Sequence, residues 1–299
     1  AWRLAKPPNL SRPNRLLLTI TCAALTLAAG LGTTLVADAL TAVGNISDVF
    51  IGGGEKDKKE GRYNVLLLGV DAAEGRAGLR PDSINVASID AETGRTVIFG
   101  LPRNMQRVPF PVSSPLHDIY PEGYVCEGGD CMLNGIYTLA DEEHPDLFPD
   151  DEDPGLTATT DAIEELTGLD INYYAMIDMG GFESLIDVMG GIHLDIYKEI
   201  PIGGVSTRVS GYIEPGENVL LDGYHALWFA RSRHDSSDYE RMLRQKCVMG
   251  AMSKQLDPKL MSTRFVELSE AGKDILSTDV GGSHLPELVD LALKGRKLD

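Results

Sequence analysis

The apolar positions in the first half of the chain fall into three short runs, each closed by a turn or a charged residue. They are NVLLLGVD (64–71), SINVASID (83–90) and TVIFGLP (96–102), and the turn-like AETGR separates the last two. Continuous apolar runs of this length are typical of strands that are covered on both faces. The sequence therefore predicts three strands whose ends carry acidic or basic side chains.

Helical patterns follow, and a strand pattern returns after them. TATTDAIEELTG (157–168) carries Ile163 and Leu166 on one side and stops at a glycine. GFESLIDVMGG (181–191) places apolar residues at i, i+3, i+4 and i+7 before two glycines, as an amphipathic helix and its end do. IHLDIY (192–197) alternates with the period of a strand. This order predicts the α/β class, as an α-β-α sandwich with a central mixed sheet.

A longer apolar segment precedes the first predicted strand. Residues 16–37 carry no charge, and at about 1.5 Å per residue a helix of this length spans a hydrocarbon core of about 30 Å. Basic residues precede it, and such residues stay on the cytoplasmic side of a membrane. We therefore expect a cytoplasmic segment (1–15), one transmembrane helix (16–37), an extracytoplasmic linker (38–61) and a globular domain (62–299). A cleaved signal peptide is one alternative, and a soluble core helix is the other.

Composition and charge narrow the range of partners. Asp and Glu outnumber Lys and Arg by 45 to 27, which gives a formal net charge of −18 and an isoelectric point near 4.7. Nucleic-acid-binding proteins gain most of their affinity from basic surface, so we expect no nucleic-acid partner. DEEHPDLFPDDEDPG (141–155) supplies much of the negative charge and is typical of a solvated surface loop; adventitious calcium binding is the alternative.

The expected position outside the membrane affects how the cysteines are interpreted, because that environment is oxidising and favours disulfides. Cys126 and Cys131 enclose Glu-Gly-Gly-Asp, a flexible spacer that lets the two sulfur atoms meet. A disulfide between them is our first interpretation, and free thiols or a metal pair are the alternatives. Cys22 and Cys247 lie in the apolar segment and in a predicted helix, where inert thiols are the default.

One stretch concentrates cations in this acidic chain. ARSRHDSSDYERMLRQ (230–245) contains four arginines. If its start is extended, Arg231 and Arg233 project to the same side and their guanidinium groups converge on one anion. If a helix begins near Asp238, then Asp238, Arg241 and Gln245 share one face at i, i+3 and i+7. Buried arginines need anionic partners, so the alternatives are a bound anion, a solvated patch or salt bridges to the chain's own carboxylates.

The same helix face continues through Met249, Met252 and Leu256. It therefore changes along its length from charged to apolar. Such a face suits a phosphate head at one end and a hydrocarbon tail at the other. The alternative is that the two methionines and the leucine belong to the core.

A second group of charged residues lies at the ends of the first three predicted strands. Asp71 closes the first strand, Arg80 and Asp82 stand in LRPDS, and Arg103 follows the third strand in GLPRN. Two carboxylates on neighbouring strand ends can hold one Mg²⁺, whose remaining positions go to phosphate oxygens and water. The alternative is that these aspartates cap loops.

Together these segments resemble the LytR-CpsA-Psr proteins. The resemblance is carried by NVLLLGVD, the Arg-x-Asp of LRPDS, GLPRN, NYYAMIDMGGFESLIDVMGGIHLDI, LDGYHALWFARSRHDSSDYERMLRQ and the preceding membrane segment, and it covers residues 62–256. Members of this family transfer glycopolymers such as teichoic acids, capsule or arabinogalactan from a polyprenyl pyrophosphate carrier to peptidoglycan outside the membrane. The resemblance implies a single-pass membrane-anchored phosphotransferase with a cytoplasmic N-terminus and an extracytoplasmic catalytic domain.

The motif positions also imply a site. Asp71 and Asp82 resemble the family's Mg²⁺ ligands. The residues that resemble the pyrophosphate-handling set are Arg103, Arg231, Arg233, Arg241 and Gln245, with Arg80 and Asp238 as supports. The apolar part of the predicted helix face would place Met249 and Met252 along the lipid. Phosphoryl transfer needs charge neutralisation more than covalent catalysis, which suits Mg²⁺ and several arginines.

The chain departs from the family pattern in two places, and two rival functions remain open. Asn104 stands where the family usually has aspartate after Pro-Arg, and the Cys126 to Cys131 insert is not part of the common motif set. A non-catalytic module that binds polyprenyl phosphates is the first rival. A hydrolase that cleaves the lipid pyrophosphate is the second. The sequence contains no HExxH zinc site, GxSxG elbow, SxxK pair or Walker phosphate loop.

Overall fold

The computed structural model describes residues 58, 60–71, 78–203, 208–233, 237–255, 276–281 and 284–298. Within these ranges the strands are β1 (Arg62–Val70), β2 (Pro81–Asp90), β3 (Thr96–Leu101), β4 (Tyr173–Asp178), β5 (Ile192–Ile196), β6 (Ile200–Ile202), β7 (Gly211–Ile213), β8 (Gly216–Leu221) and β9 (Leu276–Thr278). The longer helices are α1 (Pro154–Thr167), α2 (Met179–Val188), α3 (Gly223–Arg231), α4 (Asp238–Gln255) and α5 (Leu285–Gly295).

A five-stranded mixed sheet forms the centre of the fold. Its strand order is β3-β2-β1-β4-β9, with β4 parallel to β1 and the other neighbouring pairs antiparallel. The predicted α/β class with a central mixed sheet is thus confirmed. The three apolar runs of the first half form β1, β2 and β3. The first two are largely buried, as expected for strands covered on both faces, whereas β3 is the edge strand and none of its residues is fully buried.

Alternate residues of β1 enter different cores, because successive side chains of a strand point to opposite faces. Leu66 and Leu68 pack in one buried cluster with Ile163 of α1. Val65 packs in another cluster with Leu291 of α5. The central sheet is therefore covered by helices on both faces.

A second core lies beyond the central sheet. It gathers buried residues of α2, α3 and α4 together with residues of two small antiparallel sheets, β5 with β8 and β6 with β7. Ile186, Phe229 and Val248 represent the three helices in this cluster. This core fixes the end of α3 and the start of α4, which carry the arginine-rich stretch.

The acidic segment before α1 is more ordered than the predicted surface loop. Leu139–Glu143 forms a turn of π-helix and Pro145–Leu147 a 3-10 turn. Asp153 accepts a hydrogen bond from Leu156 N at 2.9 Å and caps α1, whose first residue is Pro154. The helix therefore begins three residues before the sequence pattern indicated, because the pattern showed the apolar face and not the cap.

Two other expectations concern the disulfide and the membrane segment. Cys126 and Cys131 form a disulfide in the segment that follows β3, with their Cα atoms 5.6 Å apart. Among the described helices, none is long and apolar enough to cross a membrane. The predicted transmembrane helix over residues 16–37 lies outside the described residues, as do the predicted cytoplasmic segment and most of the linker.

Candidate functional site

The pairing of β1 with β2 brings two carboxylates to the same end of the central sheet. Val70 lies opposite Pro81 and Gly69 lies opposite Ser83, so Asp82 is the extra residue of a β-bulge. Asp71 directly follows Val70 at the end of β1. The two predicted metal ligands are therefore close neighbours on adjacent strand ends.

Arg103 joins this edge from the third strand. Leu101, the last residue of β3, pairs with Ile84 of β2, which places Arg103 alongside Asp82. Arg103 Nη1 donates a hydrogen bond to Asp82 Oδ1. The Arg103 Nε atom is buried and has no hydrogen-bond partner among the described residues.

Arg231 reaches the edge from α3. Its Nη2 atom lies 3.9 Å from Asp71 Oδ2, and only 10% of the Asp71 side chain is exposed. The guanidinium stands 5.0 Å from the ring centroid of Trp228, and its Nη1 donates to Met179 Sδ at 2.8 Å. An aromatic face, a thioether and a carboxylate thus hold this arginine in one orientation.

The expectation that Arg231 and Arg233 project from one extended strand is wrong. Arg231 is the last residue of α3, a helix that begins after the Asp222 cap. The two arginines contact different carboxylates, because Arg233 Nη2 lies 3.1 Å from Asp238 Oδ1 and Arg231 faces Asp71. They belong to one basic cluster, but not through strand alternation.

The start of α4 is built by a reciprocal cap. Glu240 N donates to Ser237 Oγ at 3.2 Å, and Ser237 N donates to Glu240 Oε2 at 3.1 Å, which is a capping box. Ser237 therefore caps the helix, which begins at Asp238 as expected. This leaves the Asp238 carboxylate available for other groups.

Asp238 is the point where three segments meet. It lies 3.1 Å from Arg233 and 3.5 Å from Arg241, and it accepts a hydrogen bond from Asn104 Nδ2 at 3.3 Å. Asn104 follows Arg103 in the chain, so this contact ties the end of β3 to the start of α4. A neutral amide suits this place, because an aspartate there would face the Asp238 carboxylate.

Arg241 is the most deeply buried cation of the cluster, with 3% of its surface exposed. Burial lowers the pKa of Arg241, the positive charge of Arg103 lowers it further, and the carboxylates of Asp238 and Asp82 oppose both effects. Its Nε atom has no hydrogen-bond partner in the part of the chain that the structure describes. A buried cation beside a second cation is stabilised by a bound anion.

The fourth arginine of the stretch, Arg244, has a structural role. Its Nε donates to Phe229 O at 2.7 Å and its Nη2 donates to Ser232 O. Arg244 thus satisfies carbonyl groups at the end of α3, which helix geometry leaves without internal partners. The residues predicted for the site did not include Arg244.

The remaining predicted site residues are less closely tied to the cluster. Arg80 is exposed just before β2, and Gln245 and Met249 are half-buried on α4 after Arg241. Met252 packs against the second core, which favours the core interpretation for that residue. Leu256 lies outside the described residues.

Sequence reasoning missed the residues that hold Arg231, namely Trp228 and Met179. Trp228 precedes Arg231 by three residues, a spacing that brings side chains together only on a helix. Treating residues 230–233 as extended hid this signal. Met179 comes from another helix, and no local pattern pointed to it.

The carboxylates near Arg231 include one on α2. Burial raises the pKa of Glu183, and the charges of Asp187 and Asp222 raise it further, whereas Arg231 lowers it. Glu183 follows Met179 by one turn of α2, and its backbone lies against Gly223 at the start of α3.

The carboxylates at the sheet edge suit a magnesium ion in number and type. Within the described ranges, no group of three or more His, Cys, Asp or Glu side chains could hold a metal ion. Mg²⁺ keeps several waters and is usually bound by one or two carboxylates together with substrate phosphates. Asp71 and Asp82 match such a donor set, in which phosphate oxygens complete the shell.

Known proteins are similar to this chain in sequence and in fold. The model of the LytR_cpsA_psr family matches residues 38–298. The polyisoprenyl-teichoic acid–peptidoglycan teichoic acid transferase TagU of Oceanobacillus iheyensis is 28% identical over 228 residues, which are 75% of this chain and 59% of that protein. The regulatory protein MsrR of Staphylococcus aureus is 29% identical over 204 residues, 67% of this chain and 50% of that protein.

A solved structure shows the same fold. The crystal structure of TagV from B. subtilis superposes with a TM-score of 0.55 at 20% identity, covering 80% of this chain and 81% of that chain. The chain spans about half to three-fifths of the length of the curated relatives it matches. Because the family model covers most of the chain, including the strand-end carboxylates and the arginine cluster, the chain belongs to the LytR_cpsA_psr family.

Proposed function

We propose that this chain is a phosphotransferase that moves a glycopolymer from a polyprenyl pyrophosphate carrier to peptidoglycan. One observation carries the proposal: Arg241 is buried beside Arg103, and each has a buried Nε without a hydrogen-bond partner among the described residues. Arg103 contacts Asp82, and the charge of Asp82 also acts on Arg241. A pyrophosphate supplies the negative charge and the acceptor oxygens that this arrangement lacks. The name of the TagU relative, a teichoic acid transferase acting on peptidoglycan, supports this choice of substrates.

The proposed reaction exchanges one phosphorus–oxygen bond for another. A hydroxyl oxygen of the wall sugar bonds to the phosphorus nearest the glycopolymer, and the bond from that phosphorus to the bridging oxygen breaks. Polyprenyl phosphate leaves with the bonding electrons, and the hydroxyl proton passes to a carboxylate or to water. Arg103, Arg231 and Arg241 donate N–H groups to the phosphate oxygens, where the negative charge of the transition state spreads.

The carboxylates have different tasks in this scheme. Asp238 already faces Arg233, Arg241 and Asn104, so it is suited to hold the arginines in place. Asp71 faces Arg231, and Asp82 faces Arg103. When those arginines turn to phosphate, the two carboxylates are the groups that would hold Mg²⁺. The ion would supply further neutralisation of the phosphate charge.

We further propose that residues 16–37 anchor the domain in the cell membrane, with the N-terminus in the cytoplasm. This segment is apolar and of spanning length, and basic residues precede it. The anchor would place the arginine cluster outside the cell, where peptidoglycan is accessible and where the Cys126–Cys131 disulfide persists.

Product analysis tests the proposal against its rivals. The purified chain is incubated with a synthetic polyprenyl-pyrophosphate saccharide, peptidoglycan fragments and Mg²⁺, and the products are measured by mass spectrometry. We expect the saccharide to appear on the acceptor with one phosphate, and Asp82→Ala and Arg231→Ala each to lower the rate by about 100-fold or more. Lipid cleavage without acceptor product would indicate a hydrolase. Lipid binding with neither product would indicate a non-catalytic module.

A further inference from the structure

The segment that carries Arg103 is held in place by a second segment of the chain. After β3 the chain runs irregularly from Arg103 to Val108, and its carbonyl groups accept hydrogen bonds from residues 124–134. The three bonds run from Asn134 N to Arg103 O at 3.0 Å, from Leu133 N to Met105 O at 2.8 Å and from Tyr124 N to Val108 O at 2.8 Å. The backbone of Arg103 itself therefore depends on the 124–134 segment.

The disulfide closes the loop between the two ends of that second segment. Tyr124 precedes Cys126, and Leu133 and Asn134 follow Cys131, so the bond joins the two flanks that grip residues 103–108. Inside the loop, Gly129 O accepts a hydrogen bond from Gln106 Nε2 at 2.8 Å. Gln106 also forms a β-bridge with Met132.

The gripped segment contains a backbone conformation that needs support. Arg107 has φ of 57°, in the left-handed region that side chains other than glycine seldom occupy. Gly123 packs against it so closely that a Cβ there would lie 2.9 Å from Arg107 O. A turn of this kind persists only while neighbouring contacts hold it, and the 124–134 segment supplies those contacts.

The effect of the disulfide should be local. The cysteines are separated by 5 positions, and a bond that closes so short a loop removes little entropy from the unfolded chain. Residues 125–130 are exposed, whereas Cys131 is buried in the core cluster that also holds Leu133. The loop closed by the disulfide contacts Gln106 directly. Leu133 and Asn134, which follow the loop, connect it to the segment of Arg103.

We infer that the Cys126–Cys131 disulfide and Gln106 are positioning elements that keep Arg103 beside Asp82 for phosphate binding. The inference rests on the proposed function for its consequence in catalysis, because Arg103 is taken to bind the pyrophosphate. Displacing a substrate-holding group by about 1 Å can cost about 100-fold in rate. An arginine whose backbone loses its support is therefore a poor phosphate ligand even when the domain stays folded.

The test uses two variants with different risks. The double variant Cys126→Ser/Cys131→Ser removes the disulfide, and Gln106→Ala removes the side-chain bond at an exposed position where folding is not endangered. Cys247→Ser, which changes the free exposed cysteine of α4, is the matched control. Hydrogen exchange of the Leu133 and Asn134 amides, thermal midpoints, and kcat and KM for transfer are measured on all of them.

We expect the double variant to exchange the Leu133 and Asn134 amides at least about 10-fold faster and to lose about 10- to 100-fold in kcat. Gln106→Ala should show the same changes to a smaller degree with little shift in its thermal midpoint, and Cys247→Ser should match the unaltered chain. Unchanged exchange at these amides would overturn the inference, and so would faster exchange with unchanged kcat. Absence of transfer by the unaltered chain would count against the proposed function alone, because the exchange measurement needs no activity.

Discussion

At the residue scale, two buried arginines of α4 have different roles. One stabilises the structure, and the other is suited to bind a ligand. Arg244 donates to backbone carbonyls at the end of α3, whereas Arg241 has an Nε without a partner among the described residues. Both side chains have a pKa lowered first of all by burial. Hydrogen bonds to carbonyl groups thus offset the cost of burying Arg244, whereas part of the cost of burying Arg241 remains for a ligand to offset.

This contrast predicts opposite effects of the same substitution. Arg241→Met replaces a poorly compensated buried cation with an apolar side chain, so we expect the free energy of unfolding to stay equal or rise by about 1 kcal/mol while transfer is lost. Arg244→Met leaves carbonyls of α3 unsatisfied and should cost about 1–3 kcal/mol. Urea unfolding and initial transfer rates measure both quantities. Equal destabilisation by the two variants would show that Arg241 is also structural.

Individual site residues could be predicted from the sequence where their position depends only on the end of a strand. Asp71, Asp82 and Arg103 follow directly from the positions of β1, β2 and β3, and adjacent strands brought them together as expected. Asp238 and Arg241 were placed on one helix face because the spacing of three needs only a helix. Trp228 and Met179 escaped, since their contact with Arg231 depends on how α2 and α3 pack.

At the scale of elements, the start of α4 links helix stability to the site. Ser237 and Glu240 cap the helix, and the adjacent Asp238 holds Arg233 and Arg241. Ser237→Ala should lower the free energy of unfolding by about 1 kcal/mol and lower transfer as well, because fraying moves Asp238. Ser253→Ala, at an exposed position in the last described turn of α4, is the matched control. Loss of stability with full activity would contradict the link between the cap and the cluster.

A partly buried carboxyl group on α1, that of Asp161, should make the stability of the protein depend on pH. Burial raises the pKa of Asp161, and the charge of Asp151 adds to the shift. The folded state then holds a proton that the unfolded state releases, so this contribution to the free energy of unfolding is present at low pH and is lost as pH rises through the raised pKa. Asp161→Asn should therefore make the protein more stable than the unaltered chain at pH 7, with the difference vanishing in acid.

Urea unfolding at several pH values measures this difference. Glu165→Gln, which changes an exposed carboxylate on the same helix, is the control for general effects of charge. A constant difference between Asp161→Asn and the unaltered chain at every pH would rule out the burial of Asp161 as its cause.

The elements themselves show where sequence patterns stop being informative. The helix over residues 181–191 was recognised from its apolar period, and α2 occupies Met179–Val188. The end of α3 was mistaken for a strand because the arginines were considered without the Asp222 cap upstream. Caps and periodicity together identify a helix, and either alone leaves its limits uncertain.

At the scale of the whole molecule, local sequence patterns predict that helices cover the central sheet. They do not predict which distant strands and helices contact one another. The apolar runs and the helical pattern of α1 predicted a covered mixed sheet, and the sheet is covered by α1 and α5. The place of β9 beside β4 and the second core under α2, α3 and α4 depend on contacts between distant segments. Those contacts decide that the arginines of α3 and α4 reach the carboxylates of β1 and β2.

The central claim is that residues from these separate elements surround one pyrophosphate. A crystal structure of the chain with a polyprenyl pyrophosphate and Mg²⁺ tests it most directly. The account predicts phosphate oxygens about 3 Å from the guanidinium nitrogens of Arg103, Arg231 and Arg241, with Asp71 and Asp82 on the same side of the ligand. A pyrophosphate bound elsewhere, with the Asp82–Arg103 and Asp71–Arg231 pairs undisturbed, would contradict it.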